Sequence, residues 1–234
     1  MEDKVFALKP WLKEFVFEQK CVPWRVYKTY CKMRNGIFNI NTPKHWDRVW
    51  SKERYTPNSH RFYPEAFGKI ISFISKGARV VDIGCGIGIL LERLKREKNC
   101  DVFGVDISKE AIKTIKEKDI DGMVARVPPI PLPANSFDIV ISTELLEHIN
   151  TPKSLIKEMT RICKPSGYLI ITTPDSALFP YLEREHVNVF NENSLKKLFN
   201  DFKEIESLEI LRVKESEEKF NRFIIKAKLC PKSA

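Results

Sequence analysis

No stretch of this 234-residue chain approaches the ~20 consecutive apolar residues that a membrane-spanning helix requires. The opening residues, Met1-Glu2-Asp3-Lys4, lack the apolar core of a secretory signal, so the expected location is the cytoplasm. Six cysteines are present, Cys21, Cys31, Cys85, Cys100, Cys163 and Cys230, but no two stand in a C-x-x-C pair. That spacing indicates neither a zinc knuckle nor a disulfide framework, and it predicts reduced thiols. Internal repeats and low-complexity tracts are missing too. What remains suits a single enzyme-sized domain, since 43% hydrophobic content allows one sizeable core and nothing requires two full domains.

Lys and Arg total 40 against 31 Asp and Glu, a net charge of +9. The excess favours acidic partners, yet the lysines are spread through predicted helices, as in residues 109–118, rather than gathered in a block. A solvated Lys/Glu-rich surface accounts for this pattern, and charge alone does not establish nucleic-acid binding.

Glycine is sparse, yet three of the nine glycines fall at alternate positions in Val80-Val81-Asp82-Ile83-Gly84-Cys85-Gly86-Ile87-Gly88. Val80–Ile83 reads as a buried strand, and Leu90, Leu91 and Leu94 then recur at helical spacing. The glycines therefore occupy a strand-to-helix turn, where backbone without Cβ takes positive φ and lies close to a ligand. G-x-G-x-G differs from the dinucleotide fingerprint G-x-G-x-x-G, and Asp82 beside it repels phosphate but suits a cationic amino group. A second strand, residues 101–106, ends in Asp106, about 18 residues past Gly88, where an acid accepts hydrogen bonds from ribose hydroxyls. A ribose, a positive centre and no phosphate fit S-adenosylmethionine.

Helices are predicted over 63–74, 88–97, 108–118, 152–163 and 192–199. Strands are predicted over 79–83, 101–106, 122–125, 137–142, 168–173, 205–213 and 221–228, with a Pro-rich loop at 128–133. Alternation of this kind implies a doubly wound, mostly parallel α/β sheet. From about Asn58 onward the chain resembles the class I S-adenosylmethionine-dependent methyltransferases. The resemblance implies a Rossmann-like sheet of seven strands with the last antiparallel, over residues 58–234, preceded by an N-terminal helical cap in 1–57. It also implies cofactor contacts from Asp82, Gly84, Cys85, Gly86, Gly88, Asp106, Ile107 and Thr143. Asn58-Ser59-His60-Arg61 resembles a segment of the ubiquinone-biosynthesis O-methyltransferases whose arginine holds the methionyl carboxylate, which gives Arg61 that role. The third-strand segment, Val124-Ala125-Arg126, lacks the acidic residue that the family uses at the adenine amino group, so that contact falls to backbone near Ala125 and Arg126.

A second constellation, Ser142-Thr143-Glu144-Leu145-Leu146-Glu147-His148, ends a predicted central strand. On a helical turn Glu144, Glu147 and His148 converge, and two carboxylates with an imidazole suit a divalent ion. E-x-x-E-H resembles the corresponding segment of the ubiquinone-biosynthesis O-methyltransferases, where it looks like a magnesium site. It also resembles plant small-RNA 2'-O-methyltransferases, which use a further histidine, for which His186 is the candidate. The metal set is thus Glu144, Glu147, His148 and His186. Equally, His148 serves as a base without metal, and Glu144 and His148 are the candidate catalytic residues. The absence of an Asn/Asp-Pro-Pro-Tyr/Phe segment disfavours adenine or glutamine N-methylation, so the expectation is O-methylation of a small hydroxylated molecule. The aromatic, basic N-terminal segment, with Trp11, Trp24, Tyr27 and Tyr30, keeps RNA or protein methylation open. A non-catalytic cofactor-binding regulator is the alternative from another class. Trp46-Asp47-Arg48-Val49-Trp50 resembles a segment that covers the active site in small-molecule methyltransferases. The sequence leaves the oligomeric state unassigned.

Overall fold

The structure, a computed structural model, describes residues 41–52, 63–175, 185–215 and 221–231. Most of the expected cap, and Arg61, lie outside the described residues. The strands are β1 (Arg79–Ile83), β2 (Asp101–Asp106), β3 (Asp121–Val124), β4 (Phe137–Thr143), β5 (Cys163–Pro174), β6 (Ile205–Lys214) and β7 (Asn221–Leu229). The helices are α1 (Pro43–Lys52), α2 (Pro64–Phe73), α3 (Ile89–Lys98), α4 (Lys109–Glu117), α5 (Pro152–Ile162) and α6 (Glu192–Phe199). The strands form one sheet in the order β3-β2-β1-β4-β5-β7-β6, with β7 antiparallel to both of its neighbours. This is the seven-stranded arrangement expected. Strand and helix bounds also follow the expectation closely, except that β5 begins earlier, at Cys163, with a register irregularity opposite Phe137 and Ile139.

Central strands covered on both faces are apolar at successive positions, because each face packs against helices. Val80 packs with Ile70, Leu91, Leu94 and Ile115 from α2, α3 and α4, whereas the next residue, Val81, packs with Leu155, Met159, Leu195 and Phe199 from α5 and α6. The two-residue period of the strand thus divides one sequence run between two cores. Chain termination is equally local: Ser108 caps α4 by accepting from the Ala111 N–H at 3.1 Å, and Asn191 with Ser194 forms a capping box on α6. No helix among the described residues is long and apolar enough to cross a membrane.

The chain runs outward from β1 through β2 to β3, then returns to β4 on the other side of β1. Carboxyl ends of β1 and β4 therefore diverge at a switch point, where open α/β sheets place ligands. The glycine turn and the Glu144–His148 segment follow those two strands. α1, the described part of the expected cap, lies against this edge.

Candidate active site

β1 delivers Asp82 and then the glycine turn. Gly84, Gly86 and Gly88 all have positive φ, +81°, +52° and +73°. A Cβ on Gly86 would lie 2.6 Å from the Trp50 ring, and one on Gly88 would lie 2.6 Å from Ile115. Asp106, ending β2, ties the turn down: one carboxylate oxygen accepts from Gly86 N–H at 2.9 Å and the other from Ser108 N–H at 2.8 Å. Ile107 is half-buried between them. Ala125 is held beside this acid by its N–H, which donates to the Asp106 carbonyl at 2.8 Å, while Arg126 is exposed.

Asp82 is only 1% exposed, and among the described residues its Oδ1 has no hydrogen-bond partner. Burial, and secondarily the charge of Asp106, push its carboxyl up to about 7. Asp106 rises to about 6, because burial outweighs the backbone N–H groups that stabilise its charge. Buried polar atoms in folded proteins are nearly always paired. An orphaned acid beneath a cradle of side-chain-free backbone fits the cationic methionyl end of S-adenosylmethionine, with Asp106 at the ribose position. Cys85, in the same turn, is buried, and burial pushes its thiol well above the usual range, so it is packing rather than a nucleophile.

α1 spans both halves of the edge. Asp47 accepts from Ser108 Oγ and from the Lys109 N–H, both at 2.7 Å, at the start of α4. Trp50 covers Gly86, and Trp46 meets the His148 ring edge-to-face with centroids 5.2 Å apart. Asn41, just before α1, donates to the backbone carbonyls of His148 and Glu185, and His45 Nε2 lies 3.0 Å from Glu185 Oε1. The aromatic segment noticed in the sequence is therefore a helix placed over the site, although periodicity alone did not reveal it.

Beyond β4, the expected single helical turn does not form. Thr143 is half-buried in register with Thr172 of β5, and Glu144 then takes a left-handed φ of +51°. Only Leu146–His148 forms a 3-10 turn. The reversal sends the Glu144 side chain to Thr172 Oγ1 and to Arg222, each at 2.7 Å, away from the other two ligand candidates. Glu147, His148 and His186 do converge, with one ligand atom from each lying within 4.8 Å of the others. His148 Nδ1 lies 3.0 Å from the Glu185 carbonyl, which can only accept, so in the neutral ring Nδ1 carries the proton and Nε2 the lone pair. Thr173 Oγ1 donates to Glu147 Oε2 at 3.0 Å, and Glu147 Oε1 lies 3.9 Å from His148 Nε2. Two imidazoles and a carboxylate, with His148 and Glu147 each oriented by an outer hydrogen bond of the kind found around bound ions, fit a divalent metal. Three of the four proposed ligands come together, and Glu144 does not join them.

A family model for the methyltransferase domain matches residues 53–202. The chain belongs to the methyltransferase domain family. Among curated proteins, the ubiquinone biosynthesis O-methyltransferase of Methylococcus capsulatus is 31% identical over 146 residues, 59% of this chain and 61% of that one. The chain spans about half to three fifths of the length of the curated relatives it matches. Among solved structures, a SAM-dependent methyltransferase from Aquifex aeolicus superposes with a TM-score of 0.62 at 18% identity, over 78% of this chain and 98% of that one. The cyclase SpnF superposes with a TM-score of 0.63 at 16% identity, over 81% and 97%. At such identities these two likenesses concern the fold alone, and this methyltransferase domain has to be read from its own site.

Sequence reasoning missed Arg222, Thr172 and Thr173. They lie on β5 and β7, reach the site across the sheet, and carry no local motif. His45 was missed as well, for want of any motif to mark it.

Proposed function

We propose that this protein transfers a methyl group from S-adenosylmethionine to a hydroxyl oxygen of a small molecule. The carrying observation is Asp82 Oδ1, buried beneath the glycine turn and without a hydrogen-bond partner among the described residues. Asp82 would face the ammonium of the cofactor, Asp106 the ribose, and the Gly84–Gly88 backbone would lie along it. The bound cofactor supplies a methyl group on a sulfonium, already activated for displacement. The protein's own task is alignment and proton removal. His148 is fixed by the Glu185 carbonyl with Nε2 directed at the Glu147 side, so it could take the acceptor's O–H proton as oxygen bonds the methyl carbon and the carbon–sulfur bond breaks to leave S-adenosylhomocysteine. α1 excludes water: Trp46 and Trp50 cover the base and the glycine turn respectively.

The Glu147–His148–His186 cluster favours a second form of this reading, in which the three hold a divalent ion and the ion, rather than Nε2, lowers the acidity barrier of the hydroxyl. Calorimetric titration with S-adenosylhomocysteine, followed by methyl transfer to a catechol with and without chelator, tests both. Binding followed by chelator-resistant transfer supports His148 as the base, and chelator-sensitive transfer supports the ion. No binding overturns the reading, and binding without transfer to any hydroxyl acceptor overturns O-methylation.

A further inference from the structure

Glu144 opens an E-x-x-E-H segment, yet its carboxylate is committed elsewhere. Arg222, only 4% exposed at the start of β7, reaches it with Nη1 at 2.7 Å. The same guanidinium lies over the Tyr63 ring at 3.6 Å, and its Nε lies 3.3 Å from Glu215 Oε1. Glu215 in turn accepts from the Glu65 and Ala66 N–H groups at the start of α2, each at 3.1 Å. Thr172 completes the clamp, accepting from the Glu144 N–H through Oγ1 and donating to its carboxylate. Glu144 is held in a left-handed backbone conformation by an ion pair anchored from three directions.

The consequence concerns ion choice. With Glu144 withdrawn, the chain offers two imidazole nitrogens and one carboxylate oxygen from His148, His186 and Glu147. Magnesium selects oxygen ligands in a strict octahedron, whereas imidazole nitrogen suits later first-row divalent ions. We propose that Arg222 keeps Glu144 out of the ligand set, so that this centre takes a borderline transition ion through three protein ligands and discriminates against magnesium. The proposal rests on the metal-holding form of the proposed function. Arg222 is a positioning residue here, and Glu144 is a side chain held in reserve rather than a ligand.

Cobalt(II) serves as the probe because its visible absorption reports ligand type and coordination number without requiring turnover. The purified full chain, freed of metal, is titrated with cobalt(II) alone and then challenged with a large excess of magnesium. The wild type is expected to bind one equivalent that magnesium does not displace. His186→Ala and Glu147→Gln are expected to weaken binding by about 10-fold or more. Glu144→Gln keeps the side-chain size and is expected to leave both the spectrum and the affinity within about threefold of wild type, well inside the loss expected on removing a ligand. Arg222→Met, which releases Glu144, is expected to change the spectrum toward higher coordination and to narrow the preference over magnesium. No cobalt binding by the wild type would overturn the metal reading itself. Cobalt binding that Glu144→Gln abolishes, or that magnesium displaces readily, would overturn this proposal while leaving the metal reading intact. Glu144→Gln decides the ligand question even where Arg222→Met lowers the yield of folded protein.

Discussion

Two acids flank the switch point, Asp82 buried and Glu144 half-buried, and they are treated in opposite ways. Asp82, at the end of β1, has an oxygen with no hydrogen-bond partner among the described residues and a carboxyl pushed up to about 7. Glu144, just past β4, has an arginine, a threonine hydroxyl and backbone around it. Glu144 has its counter-charge among the described residues, and Asp82 Oδ1 has no hydrogen-bond partner there. Burial of an acid is therefore not what marks a ligand site; burial without a counter-charge is. The same contrast separates the two halves of the site, a glycine turn beside Asp82 and a clamp that Arg222 and Thr172 close on Glu144.

Breaking the complete side is expected to have the largest effect on stability. Removing Arg222 leaves the buried Glu215 and the half-buried Glu144 without their cation, which for a buried pair costs about 3–5 kcal/mol. Arg222→Met should therefore lower the midpoint of urea unfolding far more than any surface substitution. A shift equivalent to less than about 1 kcal/mol would show that the pair is solvated in solution rather than buried.

Breaking the incomplete side should do the reverse. Asp82→Asn removes a buried charge whose Oδ1 has no hydrogen-bond partner among the described residues, so the cofactor-free protein is expected to gain about 1–3 kcal/mol. The same change removes the counter-charge for a cationic ligand, and affinity for S-adenosylhomocysteine should fall about 10–100-fold, the loss expected for one charge-assisted bond. Calorimetry and thermal melting on one preparation read both signs. Weaker binding without a gain in stability would place Asp82's missing partner inside the protein.

The contrast also has a pH signature. A carboxyl raised from 3.8 in the unfolded chain to about 7 in the folded one binds its proton more tightly when folded. Asp82 thus contributes stability that is full below about pH 4 and lost as pH climbs to 7. Asp106, raised to about 6, adds slope in the same direction, and so does Glu215, raised to about 7 chiefly by burial. The cofactor-free protein should melt at progressively lower temperature from pH 5 to pH 7.5 on their account. Asp82→Asn should flatten that slope without abolishing it, and an unchanged slope in the variant would refute the assignment.

How much of this could be read from the sequence follows the same division. The glycine turn, Asp82 and Asp106 sit in contiguous segments whose alternation of apolar residues and glycine is a local signal, and the structure places them together. Strand and helix bounds were legible for the same reason, since periodicity and caps such as Ser108 and Asn191 are local. Glu144 was misplaced because E-x-x-E-H on an ideal helical turn gathers all three side chains, and nothing nearby signals the left-handed residue. The cause lies on β5 and β7, which reach Glu144 only after the sheet is assembled. Pairing across a sheet leaves no spacing rule in a single sequence. His186 was named only through the resemblance to enzymes with a further histidine downstream of E-x-x-E-H, and the structure brings it to Glu147 and His148.

The smallest expected effect tests whether α1 joins the two sides or merely rests on them. Asp47 accepts two short bonds at the start of α4, next to Ser108 and two residues from Asp106. Losing such a helix-start acceptor costs about 1 kcal/mol. α1 is also held at its other end by Asn41 and by the His45–Glu185 contact, so Asp47→Ala should loosen the cofactor end while leaving Trp46 on His148. The release of S-adenosylhomocysteine should therefore quicken by about fivefold, the factor that 1 kcal/mol supplies if it all acts on the covered state. Affinity for a catechol acceptor, measured with the cofactor product already bound, should change less. Stopped-flow tryptophan fluorescence follows the first quantity through Trp50, which lies against Gly86. Equal losses on both sides would mean that α1 moves as one rigid cover over cofactor and acceptor together, and that the two halves of the site are coupled through it.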